Sequence, residues 1–297
     1  MILNVSGRTD IVAFYMDWFV KRLEEGYVDV RNPFYPKQVN RIIINKETID
    51  AIIFCTKNPL PLLKYIDKIN YPFIVHITLT PYHKDIEPNV LDKKRIITAI
   101  KKISSIIGKE RVIIRYDPIF FSEKYNLNYH KKAFEKVCQE LKNYTSRIIV
   151  SFLDLKKNTL KNRRYLNMVA LTKENMEELA GYMGKMAIEN NITITTCGEL
   201  DKLERFGFAK RPCTDQELIY KITNQNKKYK QSKNRDNCTC IETVDIGEYN
   251  TCPHFCKYCY ANFDEESVIS NIKKHSATSS ILIGKIESDD EIKIRKE

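Results

Sequence analysis

Six short apolar runs alternate with helical patterns along the first two thirds of the chain. Each run is rich in Ile, Val and Phe, and polar or Gly/Pro-containing residues follow it. Near-continuous apolar runs are typical of strands that are buried on both faces, as in parallel sheets. The sequence therefore predicts strands at Ile2–Ser6, Ala51–Cys55, Phe73–Thr80, Val112–Tyr116, Ile148–Leu153 and Ile192–Thr196.

Helical periodicity separates these strands, most clearly over Leu91–Ile107, where Ile recurs at spacings of three and four residues. We predict further helices at Ala13–Glu25, Leu60–Lys68, Tyr129–Lys142 and Lys173–Asn190. Asn128 and Thr172 have side chains that are favoured at helix N-caps. Six β-α repeats predict an α/β fold with a parallel sheet and right-handed crossovers.

Such a repeat is compatible with an open doubly wound sheet or with a (β/α) barrel. Polar residues follow the strand ends one after another, and in a barrel all of these ends converge on one mouth. A doubly wound sheet would concentrate its ligand contacts near one switch point. The chain contains neither a Gly-x-Gly-x-x-Gly motif nor a P-loop. We therefore predict a TIM-like (β/α) barrel.

Composition narrows the class of protein further. The chain has 297 residues, of which 43% are apolar and 29% are charged, and it carries a net charge of +11. These values exclude global disorder. No run of 18 apolar residues occurs, so we predict no membrane-spanning helix and no membrane partner. The N-terminus has neither a basic leader nor a cleavable apolar segment, and we expect a cytoplasmic protein.

Sequence composition also suggests how the chain is divided. We predict barrel repeats over residues 1–222, a basic linker or loop over 223–237, a Cys-rich metal-binding segment that completes the barrel over 238–275, and a charged tail over 276–297. Within the Cys-rich segment, Thr243–Ile246 is predicted as a seventh strand and Phe263–Lys274 as a helix. The last dozen residues are expected to be poorly ordered.

Nine cysteines occur in the chain, and seven of them fall in its last 101 residues. Without a secretion signal, such a cluster argues against disulfides and for metal binding. Cys252, Cys256 and Cys259 have the spacing C-x3-C-x2-C, so three thiolates could ligate different irons of one [4Fe–4S] cluster and leave the fourth iron open. A zinc site completed by His254 or another cysteine is one alternative, and buried free thiols are another.

This loop resembles the cluster-binding signature of the radical S-adenosylmethionine (radical-SAM) enzymes, C-x3-C-x-aromatic-C, with Tyr258 at the aromatic position. The resemblance implies that the cysteines hold a [4Fe–4S] cluster and that S-adenosylmethionine binds the open iron, where the reduced cluster cleaves it to a deoxyadenosyl radical. It also implies a (β/α) barrel and a reductant such as a flavodoxin or ferredoxin. Glu199, at a strand end, and Tyr258 are the candidate cofactor-binding residues.

In radical-SAM enzymes the motif follows the first strand, whereas here it lies near the C-terminus. The predicted strand Thr243–Ile246, the cysteine loop and the predicted helix Phe263–Lys274 nevertheless form the same strand–loop–helix unit. A circularly permuted barrel would place this unit last and still bring the cluster to the mouth. The expected fold is therefore a (β/α) barrel, permuted relative to radical-SAM barrels, with a C-terminal iron–sulfur loop.

Longer segments are similar to one bacterial family, domain of unknown function 1848. They are Ser6–Asp10, Cys55–Pro59, Arg115–Ile119, Cys238-x-Cys240 and Asp245–Asn262. The similarity spans most of residues 1–262. Members of that family are described as cytosolic iron–sulfur or radical-SAM-like proteins, so the resemblance implies this class but no particular reaction.

Four further cysteines are candidates for a second metal site: Cys197, Cys213, Cys238 and Cys240. Cys197 ends the sixth strand and Cys238-Thr-Cys240 precedes the seventh, so all four are expected at the same mouth. They could bind a second cluster or a zinc ion. The alternative is that Cys197 and Cys213 are small buried hydrophobic residues.

Six polar residues that follow strand ends are the candidate catalytic residues of a substrate pocket. They are Arg8, Asp10, Lys57, Asn58, Arg115 and Asp117. Side chains of these types bind carboxylates or phosphates and position proton donors or bases. The alternative is structural, with Asp10 as a helix cap, Arg115 and Asp117 as a pair that locks the mouth, and Pro118 imposing an extended geometry on Asp117.

Two functions remain open from the sequence. The first is an iron–sulfur enzyme of the radical-SAM-like type with an unknown substrate. The second is a non-catalytic iron–sulfur or zinc protein that binds nucleic acid through a basic surface. The phosphate-contacting candidates are Lys227, Lys228, Lys230, Lys233 and Arg235. A solvated Lys-rich loop is the structural alternative for that segment.

Overall fold

The computed structural model describes residues 1–154, 157–198, 203–232 and 238–295. Its strands are β1 (Ile2–Val5), β2 (Tyr27–Arg31), β3 (Gln38–Ile43), β4 (Ala51–Thr56), β5 (Phe73–Thr78), β6 (Val112–Ile119), β7 (Arg147–Phe152), β8 (Thr193–Thr196), β9 (Val244–Asp245) and β10 (Glu291–Ile294). Its α-helices are α1 (Ile11–Phe14), α2 (Met16–Glu25), α3 (Leu62–Tyr65), α4 (Lys93–Ile107), α5 (Leu127–Leu141), α6 (Lys157–Leu166), α7 (Lys173–Glu189), α8 (Gln216–Thr223) and α9 (Glu265–Ile272). No helix in these ranges is long and apolar enough to cross a membrane.

Seven strands form one parallel sheet in the order β8-β7-β6-β5-β4-β1-β9. Leu3 of β1 lies opposite Ile52 of β4 on one side and Val244 of β9 on the other. The strands from β1 to β8 follow chain order without the reversal of a doubly wound sheet. The predicted parallel α/β architecture is therefore confirmed. Within the described ranges β8 and β9 are the sheet's edges, and no ladder joins them.

A second sheet of three strands lies outside the β-α repeat. Strands β2 and β3 pair antiparallel, and β10 pairs parallel to β3. The sequence analysis did not select β2 and β3, whose apolar residues alternate with polar ones. It also expected a poorly ordered chain end, which differs from the strand found there. Ile281 and Leu282 are buried, and Asp290 forms an ion pair with Arg31 at 2.7 Å, so the tail is held against the body.

The two faces of the parallel sheet differ in what covers them. On one face, strand residues such as Val5 and Phe54 share a large apolar cluster with α1, α2, α4, α5 and α7. On the other face, residues such as Ile53 and Ile113 form a smaller cluster with α8. Because residues two apart in a strand share a face, Arg115 lies on this second face. It is close to the carboxyl ends of the strands, where polar residues replace apolar ones.

Capping side chains explain where two helices begin. Thr172 caps α7 by accepting the backbone N–H of Asn175 at 3.2 Å, as predicted. The prediction of Asn128 as a cap is wrong, because Asn126 accepts the N–H of Tyr129 at 3.0 Å. Helix α5 therefore begins one residue before Asn128.

Candidate functional site

The cysteine loop Cys252–Cys259 follows β9 and is anchored to two other parts of the chain. The Tyr15 hydroxyl, at the end of α1, donates to the carbonyl of Thr251 at 2.6 Å. The side-chain amide of Asn89, in the segment after β5, donates to the carbonyl of Pro253 at 2.8 Å. These bonds fix the loop beside the carboxyl ends of β1, β4 and β5.

Three thiols of this loop, Cys252, Cys256 and Cys259, are called the loop thiols below. Burial raises the pKa of all three, that of Cys256 to about 12, and the charges of the other two raise the pKa of Cys252 further. The backbone N–H of Ala261 donates to Cys259 Sγ at 3.3 Å. The loop thus collects one buried and two half-buried thiols within eight residues, and a backbone N–H points at one of them.

Asp10 connects the loop to two neighbouring segments. Its Oδ1 accepts the N–H of Ala13 at 2.9 Å, so it is the N-cap of α1. Its Oδ2 accepts the N–H of Lys57 at 2.8 Å and lies 2.9 Å from His254 Nε2. His254 Nδ1 is buried and has no hydrogen-bond partner among the described residues. The structural role considered for Asp10 is thus present, together with a contact inside the cysteine loop.

Glu87 is the centre of a buried charge network that reaches the loop thiols. It accepts hydrogen bonds from Lys57 Nζ at 2.8 Å and Thr80 Oγ1 at 2.6 Å, and also from Lys93 and from the Tyr258 hydroxyl. Burial opposes its ionisation, but the two lysines lower the pKa of Glu87 to about 2. It is therefore an ionised carboxylate that holds two cations in place.

Lys57 is one member of this network that lies near a loop thiol. Burial lowers its pKa, but the charges of Glu87 and Cys256 outweigh burial and raise it overall. Its Nζ also lies 5.3 Å from the centre of the Tyr258 ring. A fixed cation therefore stands next to Cys256, and Tyr258 packs against that cation.

Arg8 pairs with Asp245, a residue that the sequence analysis quoted in a motif but did not select for the site. Arg8 Nε lies 3.0 Å from Asp245 Oδ1, and Ser6 Oγ and the N–H of Gly7 donate to the same carboxylate at 2.9 and 2.6 Å. Gly247 allows this close approach, because a Cβ there would lie 1.9 Å from Ser6 Oγ. Asp245 thus ties β9 to the segment that follows β1.

Arg115 and Asp117 form the predicted pair at the end of β6, where Arg115 donates to the Asp117 carboxylate. The Tyr260 hydroxyl donates to the carbonyl of Gly7, so this aromatic side chain joins the end of the cysteine loop to the segment that follows β1. Asn58, in contrast, has a local role, because its side chain accepts the N–H of Leu60 at 3.2 Å.

The other four candidate ligands also come together, and they are called the edge thiols below: Cys197, Cys213, Cys238 and Cys240. Hydrogen bonding links Cys197 to Cys213, Cys213 to Cys240, and Cys240 to Cys238. The bond to Cys213 raises the pKa of Cys197 and lowers that of Cys240. Across the described ranges, no three His, Cys, Asp or Glu side chains are arranged to hold a single metal ion.

Some predicted residues lie away from this arrangement or outside the described residues. Glu199, the candidate contact for a methionyl amino group, lies outside the described residues, as do Lys233 and Arg235 of the basic segment. Lys227 forms an ion pair with Asp50 at 2.8 Å, whereas Lys228 and Lys230 are exposed.

Besides Asp245, the acidic residues Glu87 and Glu248 lie in this part of the molecule and were not selected in the sequence analysis. Burial raises the pKa of Glu248 to about 7, against the opposing charges of Arg31, Arg8 and Lys274. Glu248 could have been selected because it lies four residues before Cys252. Glu87 had no comparable signal, since nothing in its local sequence shows that it meets Lys57.

Comparison with protein families gives one match. The model of a family described as Domain of unknown function (DUF1848) matches residues 2–261. That range includes both groups of thiols and all six candidate catalytic residues. No curated protein matches the chain significantly.

One solved structure is similar at a low level. It is a sugar phosphate isomerase/epimerase from Parabacteroides distasonis ATCC 8503, at 10% sequence identity and a TM-score of 0.31. The alignment covers 70% of this chain and 61% of that one. A similarity of this size carries no argument about the function of this chain.

Proposed function

This chain belongs to the DUF1848 family, and from the geometry of its site we propose that it is an iron–sulfur enzyme of the radical-SAM-like type. The loop thiols would hold a [4Fe–4S] cluster, and the polar end of the sheet would form the substrate pocket. One observation carries the proposal: three thiols of a single loop lie beside the ion pair between Lys57 and the buried Glu87, at the carboxyl ends of the parallel strands.

The loop thiols fit a cluster as a set of donors. Thiolates are the usual ligands of iron–sulfur clusters, and the C-x3-C-x2-C loop offers three of them. Burial raises their pKa, so these sulfurs hold protons that metal binding would release. The backbone N–H that reaches Cys259 Sγ is a donor of the kind that tunes cluster potentials. A cluster spreads its thiolates over several irons, so the three sulfurs need not share one ion.

The charges around the loop thiols also suit a cluster. Ionised thiolates in a buried site require compensation, because an unpaired buried charge is strongly unfavourable. Lys57 provides a cation at Cys256, and Glu87 keeps that cation in position at 2.8 Å. When bound and reduced, a cluster with an open iron would supply an electron to a cosubstrate such as S-adenosylmethionine.

The pocket residues would act by binding and orienting the substrate. Arg8 and Arg115 are held by Asp245 and Asp117, so their guanidinium groups have fixed directions at this end of the sheet. Arginine held in this way recognises carboxylate or phosphate groups with defined geometry. An anionic substrate group is therefore the class of ligand that this end of the sheet is best suited to bind.

The finer architecture belongs to the same proposal. We infer a (β/α) barrel that is open between β8 and β9 and circularly permuted relative to radical-SAM barrels. The strand order supports this, because β9 lies beside β1 although it comes late in the chain. The strand–loop–helix unit of β9, the cysteine loop and α9 would then occupy the place of a first barrel unit.

The test is anaerobic purification of the full chain with iron and sulfide analysis, followed by electron paramagnetic resonance of the dithionite-reduced protein. We expect a cluster signal that changes when S-adenosylmethionine is added. The variant Cys256→Ala should lose about four irons per chain together with that signal. Cys138→Ala, which removes a buried thiol of α5 outside both groups, is the matched control and should lose neither.

Three other outcomes would contradict parts of this proposal. A cluster signal that ignores S-adenosylmethionine would retain the cluster and overturn the radical-SAM-like chemistry. Equal iron and sulfide in Cys256→Ala and wild type would overturn the cluster assignment. Retardation of nucleic acid with a steep salt dependence, in protein that leaves S-adenosylmethionine intact, would favour the non-catalytic alternative.

A further inference from the structure

The edge thiols come from three separate segments of the chain. Cys197 follows β8, Cys213 precedes α8, and Cys238 and Cys240 precede β9. Cysteines that serve only as small apolar residues have no reason to meet one another across such sequence distances. Here Cys213 belongs to the smaller apolar cluster of the sheet, and Cys197 and Cys240 pack against the same cluster. Cys238 is two residues from Cys240, so the four thiols converge in the row Cys197–Cys213–Cys240–Cys238.

Backbone contacts hold these segments together independently of the sulfurs. The N–H of Cys197 donates to the carbonyl of Val150 at 3.1 Å, which fixes it to β7. The N–H of Ile241 donates to the carbonyl of Thr214 at 3.1 Å, which joins the segments of Cys213 and Cys240. The convergence is therefore a property of the fold.

A buried ion pair fixes the turn that carries Cys213. Arg147 lies 3.0 Å from Asp215, and its guanidinium also donates to the carbonyls of Pro212 and Cys213, each at 3.0 Å. A guanidinium buried under a turn in this way makes the position of the Cys213 side chain precise. Such support is typical of ligand residues, whose geometry depends on outer-shell contacts.

Arg115 is a cation on the same face of the sheet as these sulfurs, and its guanidinium donates to the Asp117 carboxylate, which holds it there. A set of metal-bound thiolates is anionic, and a buried anionic group needs such a partner. Three edge thiols, Cys197, Cys213 and Cys240, otherwise lie against the smaller apolar cluster of the sheet.

We propose that Cys197, Cys213, Cys238 and Cys240 are the four ligands of a second metal centre, an iron–sulfur cluster held entirely by protein thiolates. We propose a cluster rather than zinc because a cluster shares its thiolates among several irons, which suits sulfurs in a row, whereas zinc requires four ligands around one ion. A two-iron cluster takes two thiolates on each iron, which matches a row that divides into the pairs Cys197–Cys213 and Cys240–Cys238.

This centre would differ chemically from the one proposed at the loop thiols. All four of its ligand positions come from the chain, so it has no open iron for a cosubstrate. It would hold an electron beside Arg115, on the face of the sheet where the substrate pocket is proposed. The proposal does not rest on the cluster at the loop thiols, because its ligands are different residues.

The test separates the two centres by removing the loop thiols. The full chain with Cys252→Ala, Cys256→Ala and Cys259→Ala, purified anaerobically, should retain about two irons and equal sulfide, or about four of each for a four-iron cluster. Adding Cys213→Ser should remove this iron and its visible absorbance. In the otherwise unchanged chain, Cys213→Ser should leave the S-adenosylmethionine-sensitive signal in place.

Controls keep the outcomes distinct. Cys138→Ala should change neither metal count, and Cys238→Ser, at a half-buried position, provides a second variant in case Cys213→Ser does not fold. Three outcomes would overturn the second centre. The variant that lacks the loop thiols could contain no iron, it could contain zinc in place of iron, or its iron could survive both Cys213→Ser and Cys238→Ser. If the loop thiols hold no cluster, wild type and the loop-thiol variant will contain the same iron.

Discussion

The loop thiols and the edge thiols are two groups of cysteines built in opposite ways. The loop thiols lie within eight residues and are surrounded by ionised side chains, chiefly Lys57 and Glu87. The edge thiols come from three segments and lie mainly on an apolar cluster, with Arg115 as their cation. The difference shows that close spacing in the sequence is enough to assemble the loop thiols. The edge thiols come together only because the segments next to the two edge strands of the sheet meet.

The surroundings of the loop thiols and of the edge thiols predict different sensitivities to mutation. At the loop thiols, a carboxylate with lysines on either side fixes the local charge, so changing one charge should disturb the whole site. At the edge thiols, the main-chain bonds and the Arg147–Asp215 pair fix the positions of the sulfurs. The following three predictions test how far the loop thiols depend on charge and close packing.

The largest effect is expected from Glu87→Gln. This change leaves Lys57 as a buried cation without its carboxylate, and breaking a buried pair of this kind costs about 3–5 kcal/mol. Urea unfolding followed by circular dichroism measures the change in the free energy of unfolding. Glu140→Gln, which removes a more exposed pair with Lys101, is the control and should cost much less. Similar losses of stability in the two variants would contradict a special dependence of this site on the charge of Glu87.

A smaller loss is expected from Gly247→Ala. The new Cβ would lie 1.9 Å from Ser6 Oγ and 2.8 Å from Ser6 Cβ, so the strand that carries Asp245 must shift. Overpacking of this kind costs about 1–3 kcal/mol. Gly181→Ala in α7 is the control, since its Cβ would meet Phe206 at an ordinary 3.5 Å, and it should be neutral or stabilising by up to about 1 kcal/mol. A neutral Gly247→Ala would show that β9 is not tightly docked.

The last effect is confined to a pH window and is expected from the titration of Glu248 in metal-free protein. Burial raises its pKa from 4.5 to about 7, so the folded protein binds a proton that the unfolded chain releases. Its contribution to stability is present below pH 4.5 and is lost as the pH rises towards 7. Glu248→Gln should flatten the pH dependence of the free energy of unfolding in this window. An unchanged pH dependence of stability in Glu248→Gln would contradict the raised pKa of Glu248.

The alternation of apolar runs predicted the parallel sheet, because burial on both faces leaves a local pattern in each strand. Six of its strands lie where the sequence placed them, and β9 lies within the predicted seventh strand. The small sheet was not predicted, since β10 pairs with β3 across more than two hundred residues. The expectation of a poorly ordered chain end failed for the same reason, because the partner of that segment is distant in sequence.

The sequence by itself determined that the loop thiols lie together, because a spacing of three and two residues keeps the three sulfurs within one short loop. It also placed Arg8, Asp10 and Lys57 after strand ends, where they are found, whereas Arg115 lies within β6, opposite the last residue of β5. Only the tertiary structure decided that Glu87 holds Lys57, that Asp245 holds Arg8, and that the edge thiols meet. Those contacts join residues that are far apart in the chain. They depend on strand order and burial, so they cannot be predicted from local sequence patterns.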